Sequence, residues 1–197
     1  ERVNRQELPP LYRETGAFMI CRRAVLASGT RVGAKVSLFE LPQGEALDID
    51  DYSDWLVAEH ALSSLDIVIR ADGDYDIGLG HVYRAATLAN AFLGHRVRFI
   101  TDSRRRLGVE KLRTYAYPVV TCAHREDMLE FLREAKPDIL INDVLDTTRE
   151  YMQSLLDLGL FVVNFEDLGE GTDLAHLVVN ALYEHTCPPA NHLYGYR

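Results

Sequence analysis

Residues 71–84 read ADGDYDIGLGHVYR, so His81 directly follows the pair Gly78 and Gly80. Glycines where a strand hands over to a helix let backbone amides approach an anion, and the helix N-terminus adds positive potential. An imidazole at that helix end is disfavoured as the cation, which predicts a neutral His81 able to accept a proton near neutral pH. A general base beside a bound phosphate is a hydrolase or transferase arrangement. Two other readings stay open. In one, the glycines only turn the chain and His81 only caps the helix. In the other, the loop is the dinucleotide turn of an NAD-dependent oxidoreductase, with Asp102 as the ribose acid at the end of the second strand, although the third glycine of that fingerprint is missing.

A second candidate lies in the acidic stretch LDIDDYSDW. Asp48 and Asp50 are two apart, so an extended backbone turns both carboxylates to one face, where oxygen ligands suit a shared Mg²⁺. The same residues also fit an acidic helix entry together with Asp51 and Asp54. Of the remaining histidines, His95, His124, His176 and His185 lack ligand-like spacing and read as surface or loop residues. Trp55 reads as packing its helix onto a neighbour, and Arg104, Arg105 and Arg106 as a solvated loop, with a phosphate contact as the alternative.

The elements that must hold these groups change character near residues 62–65. After that point, β-branched runs (DIVIR, RVRFI, YPVV, DILIN, LFVVNF, HLVVN) alternate with the helical stretches HVYRAATLANAFLG, REDMLEFLREA and TREYMQSLLDLG. Such alternation, with near-continuous apolar strands, predicts a parallel sheet covered on both faces, a Rossmann-like α/β layer. Gly94 and Gly159 sit where helix C-terminal glycines belong, and Pro137 acts as a stop. Before the change, the pattern predicts strands at 17–21 and 35–41, a short helix at 24–27, a glycine turn at 29–33 and a helix at 52–62 with Ser53 as its N-cap. That first segment holds too little apolar material for a core of its own.

The 197 residues carry 47% apolar and 26% charged side chains, ordinary for a globular protein. A net charge of −9 argues against unaided binding to nucleic acid or an anionic membrane, which need a basic footprint. Cys21, Cys122 and Cys187 are odd in number and far apart, which suggests neither a disulfide framework nor a zinc site and fits a cytoplasmic location. No apolar run approaches the roughly 20 residues of a membrane span. Both ends read as cut, so the chain is expected to be a piece of a larger protein.

IRADGDYDIGLGHVYRAATLANAF resembles the opening of the nucleotide-sugar hydrolases of the pseudaminic acid pathway and their spore-coat polysaccharide relatives, and the resemblance runs through ILINDVLDTTREYMQSLLDLG and VVNFEDLGEGTDLAHLVVNALYE. It implies the N-terminal Rossmann-like half of a two-domain GT-B fold, similar to the peptidoglycan glycosyltransferase MurG, over residues 66–197. It also implies a nucleotide sugar as ligand, no cofactor, His81 as the base that activates water, and binding roles for Arg70, Asp72, Gly78, Gly80 and Arg84. Leu145 stands where the hydrolases have a tyrosine. Residues 1–62, with NRQELPPLYRETGAFMICRRAVLASGTRVGAKVSLFELPQGEALDIDDYSDWLVAEHAL, resemble the last third of the cytidylyltransferases that make CMP-sialic acids. That resemblance implies a small α+β dimerisation segment, sugar-side contacts from Arg5 and Gln6, Mg²⁺ on Asp48 and Asp50, and a homodimer formed through the arm carrying Phe18, Ile20, Val36, Leu38 and Phe39. Thr15 stands in place of the usual asparagine, and the glycine- and lysine-containing CTP loop is not in this chain. The competing expectation is a module that binds a nucleotide sugar, or orders a dimer, without catalysis.

Overall fold

A computed structural model describes residues 11–42 and 45–195. The chain divides into two units, Glu1–Ser63 and Ser64–Arg197. In the second unit, seven strands form one parallel sheet: β1 (Asp66–Ala71), β2 (Arg96–Asp102), β3 (Val119–Cys122), β4 (Ile139–Asp143), β5 (Val162–Phe165), β6 (Leu177–Asn180) and β7 (His192–Tyr194). Their order across the sheet is β3-β2-β1-β4-β5-β6-β7. The chain winds outward from β1 in one direction, then returns past it to β4. The C-terminal ends of β1 and β4 therefore border the crevice where doubly wound sheets bind ligands.

Alternation along β1 assigns side chains to the two faces. Val68 joins a buried cluster with Met128, Leu132, Leu140, Met152 and Leu155, beneath the helices α5 (Arg125–Ala135) and α6 (Arg149–Leu156). Ile67 and Ile69 join Val82, Ala85, Ala89, Phe99 and Leu112 on the other face, beneath α3 (Gly80–Ala91) and α4 (Arg106–Leu112). In α3 the buried residues Val82, Ala85, Ala86 and Ala89 follow helical spacing, and three of the four are alanines that bring its axis close to the sheet. Strand and helix positions thus follow the sequence expectation, with two additions. The segment after Arg104-Arg105 is the helix α4 rather than a solvated loop, and β7 extends the sheet. Gly94 (φ 102°) and Gly159 (φ 73°) occupy the left-handed conformation expected of them.

The first unit contains two helices, α1 (Arg23–Ala27) and α2 (Tyr52–Ser63), and no strand among the described residues. The strands expected at 17–21 and 35–41 are absent, since an isolated apolar ribbon has no neighbour to complete its hydrogen bonds. The cap of α2 is also corrected: Asp51, not Ser53, accepts the Asp54 amide at 3.0 Å, and the Asp54 carboxylate accepts the amides of Asp50 (3.1 Å) and Asp51 (3.2 Å) in return. Ser53 lies inside the helix. Trp55 is 54% exposed.

Candidate functional site

The geometry around His81 begins with β4. Along a strand, neighbouring residues face opposite sides of the sheet, so Asn142 belongs to the face of α6 and Asp143 to the face of α3. Asp143 is fully buried, and its Oδ1 lies 2.8 Å from His81 Nδ1. A carboxylate accepts only, so Nδ1–H donates to it and the lone pair of Nε2 is left to take a proton. Arg84, one helical turn after His81, donates from Nε to Asp143 Oδ2 at 2.6 Å and from Nη2 to Oδ1. This two-pronged ion pair fixes the carboxylate that fixes the imidazole. Burial opposes the Arg84 charge, but Asp143, aided by Glu166 at 4.0 Å, more than offsets it and holds the guanidinium above its ordinary range.

Glu166, directly after β5, lies in the left-handed region (φ 51°), unusual for a residue with a side chain. Its carboxylate oxygens each lie 3.3 Å from the Leu182 amide. Such backbone outliers concentrate at functional sites because the surrounding structure must over-determine them.

The glycine turn divides its tasks. Gly78 takes φ +74°, and its amide donates to Asp74 O at 2.7 Å, so it shapes the turn rather than presenting a donor. Gly80 opens α3, and among the described residues the amides of Gly80, His81 and Val82 have no protein acceptor. Those three donors at a helix N-terminus are what an anionic ligand requires. Gly73 is held from both sides: a Cβ there would meet Val82 Cγ2 at 2.8 Å, and a Cβ on Gly108 of α4 would meet Gly73 O at 2.6 Å.

His81 lines a cavity of about 400 Å³ at the C-terminal edge of β1 to β4. Arg70 and Asp72 line it too. Asp72 ties β1 to β2 by accepting the Asp102 amide (2.7 Å) and the Thr101 hydroxyl (3.1 Å), and it pairs with Arg70 at 3.3 Å. Asp102 is engaged by Arg104 (Nη2 to Oδ2, 2.6 Å), which holds its carboxyl below the usual range. Arg105 reaches back to Asp76 in the glycine turn at 2.6 Å. Leu145, 61% exposed, stands at the cavity wall.

Sequence reasoning missed Asp143, Tyr151 and Arg125. The Arg70 guanidinium carbon lies 4.9 Å from the centroid of the Tyr151 ring, and that of Arg125 lies 5.6 Å from it. Tyr151 is buried, its hydroxyl donating to Asn142 Oδ1 at 2.8 Å. From there a buried chain of hydrogen bonds continues from Asn142 to Asn164 (3.0 Å) and from Asn164 to Asp167 (2.6 Å), which also accepts the Thr147 hydroxyl at 2.6 Å. A buried polar network with every member partnered rigidifies the groups it joins. His124, expected as a bystander, forms the N-cap of α5 and also lines the cavity. His95 and His176 behave as loop residues, each accepting one backbone amide through Nδ1.

Asp48 and Asp50 are both exposed, and among the described residues no group of three or more His, Cys, Asp or Glu side chains gathers as a metal site. Arg5 and Gln6 lie outside the described residues. Among the described residues no helix is long and apolar enough to cross a membrane.

No family model matches the chain. Over 120 residues it is 29% identical to an uncharacterized protein of Methanocaldococcus jannaschii, MJ1062, covering 59% of this chain but 25% of that protein. The chain thus spans about a quarter of the length of this relative. Among solved structures it is similar to the crystal structure of Acinetobacter baumannii MurG, with a TM-score of 0.51 at 14% identity, over 66% of this chain and 45% of that one. The likeness is one of fold, a MurG-like Rossmann layer.

Proposed function

We propose that the second unit handles a nucleotide sugar and that, in the full-length protein, His81 is the general base for hydrolysis of its diphosphate. The observation that carries this reading is the His81–Asp143 contact, with Nδ1 bound to a buried carboxylate and the ring lining the cavity next to three free amides of α3. Nε2 takes a proton from water as the oxygen attacks phosphorus. The bond from that phosphorus to the leaving phosphate oxygen breaks, and the amides with the helix end stabilise the negative charge that develops. Asp143 holds the tautomer and offsets the imidazolium charge, while Arg84 holds Asp143.

The uridine-side contacts of a GT-B arrangement would come from a second Rossmann-like domain outside this chain. The exposed Leu145, in place of the hydrolases' tyrosine, favours the competing reading of a module that binds a nucleotide sugar without turning it over. The dehydrogenase reading loses its ribose acid, because Asp102 is engaged by Arg104. The first unit supports a cytidylyltransferase-like tail only through its sequence resemblance. Mg²⁺ on Asp48 and Asp50 would need further ligands from beyond the described residues. A homodimer through this unit is supported by its exposed apolar side chains.

The test is turnover of UDP-sugars by the full-length protein and its His81→Ala variant in ¹⁸O-labelled water. Loss of turnover in the variant, with label in the phosphate product, is the expected result. Unchanged turnover removes the catalytic role of His81, and undetectable turnover in both proteins favours the binding module.

A further inference from the structure

The cavity has a second, arginine-lined end that the proposed hydrolysis does not use. On the face of α5 and α6, Arg70 and Arg125 both lie against the buried ring of Tyr151, at 4.9 and 5.6 Å from its centroid. His81, Arg84 and the free amides of α3 belong to the opposite face of the sheet. One compact diphosphate held at α3 therefore leaves the Tyr151 end to another part of the ligand.

That end is a built site. The Tyr151 hydroxyl is anchored to Asn142, and through it to Asn164 and Asp167, so the ring is a fixed platform for two guanidinium groups. Arg125 is further held by Ser154 Oγ (2.8 Å), the Glu150 carbonyl (2.9 Å) and the Glu150 carboxylate (3.2 Å). Arg70 spends Nη2 on Asp72, and among the described residues its other nitrogens have no acceptor. No buried side-chain nitrogen or oxygen among the described residues lacks a partner, so those Arg70 donors are open to the cavity. Each arginine lining this cavity already faces a carboxylate, Arg70 with Asp72, Arg104 with Asp102, Arg105 with Asp76 and Arg125 with Glu150, so anion binding here rests on the Arg70 donors that Asp72 leaves free.

We infer that the Arg70–Tyr151–Arg125 platform binds a second anionic group, a carboxylate on the glycosyl unit, making the preferred ligand an acidic nucleotide sugar. This rests on the nucleotide-sugar reading. Planar guanidinium groups match a carboxylate with paired hydrogen bonds, and a neutral sugar would leave the free Arg70 donors to water.

Cys122 ends β3 in the same cavity wall, so its alkylation reports occupancy without requiring turnover. Mass spectrometry of the full-length protein treated with iodoacetamide would follow Cys122 with UDP-glucuronate, UDP-glucose or UDP added. UDP-glucuronate is expected to protect Cys122 at about tenfold lower concentration than UDP-glucose, as one charge-assisted hydrogen-bonded pair provides, and Arg125→Gln should abolish that difference. Equal protection by the two sugars, or UDP alone protecting as well as UDP-glucuronate, overturns the acidic-sugar assignment while leaving nucleotide binding in place. A preference retained in Arg125→Gln and also in Arg70→Gln overturns the platform. Protection by none of the three ligands overturns the nucleotide-sugar reading itself.

Discussion

His81 Nδ1 and Asp143 Oδ1 stand 2.8 Å apart although 62 residues separate them in the chain, because β1 and β4 are neighbours in the sheet. The contact gives the imidazole one tautomer and one orientation. Asp143→Asn keeps the size of the side chain but removes the charge that holds Nδ1–H and Arg84. In the full-length protein kcat is expected to fall by roughly 10²- to 10⁴-fold with KM little changed, the range attributed to a positioned proton acceptor. Steady-state kinetics checks this, and a change confined to KM would assign Asp143 to binding alone.

Gly73 and Gly108 form a backbone contact that admits no side chain. The Gly108 amide donates to Gly73 O at 2.7 Å, and a Cβ on Gly108 would lie 2.6 Å from that oxygen. Gly108→Ala must push α4 away from the glycine turn. The expected cost is about 1–3 kcal/mol, as for other overpacked interiors, read as a lower urea midpoint at an unchanged slope.

The strands and helices of the second unit were readable because continuous β-branched runs and 3.6-residue spacing are local signals. α4 escaped notice because three arginines at its start oppose the helix dipole and Gly108 weakens its interior. Only the approach to Gly73, a tertiary contact, explains that glycine. The three-residue β7 carries too short a pattern to read. His81 and Arg84 were found from the glycine turn, whereas Asp143 and Tyr151 were not. Their meaning lies in which face of the sheet Asn142 and Asp143 address, and that depends on strand order. In the first unit the run around Val36, Leu38 and Phe39 reads as a strand, but a strand needs a neighbour that the described residues do not supply.

Tyr151 links stability to alkaline pH. Burial raises its phenol above the ordinary value of 10.0. The unfolded chain thus gives up this proton first as pH rises, so the contribution is fully present below about pH 10 and is lost above it. Urea melts across that window should show stability declining in wild type and a shallower decline in Tyr151→Phe. The substitution should also cost about 1–3 kcal/mol at neutral pH by leaving Asn142 Oδ1 without its donor.

Cys122 is shielded in the cavity wall, and its thiol is raised above the ordinary 9.0 first by burial and then by the nearby Asp127. Only the thiolate is nucleophilic. Iodoacetamide near pH 8 should therefore modify Cys122 more slowly than the exposed Cys187, a ranking that peptide mass spectrometry reads directly.

In the first unit, none of the described residues is buried. Ile20 is 89% exposed, Phe39 72% and Leu38 66%, and the rings of Phe18 and Phe39 meet with centroids 5.5 Å apart. Contiguous exposed apolar surface of this kind marks an interaction site. A second copy of the chain covering it predicts a mass of two chains by light scattering after size exclusion. Ile20→Asp with Phe39→Asp should convert that species to a monomer. The melting of the second unit should then change by no more than about 0.5 kcal/mol, as for other exposed positions. A wild-type protein that runs as a monodisperse monomer would rule out self-association through this surface.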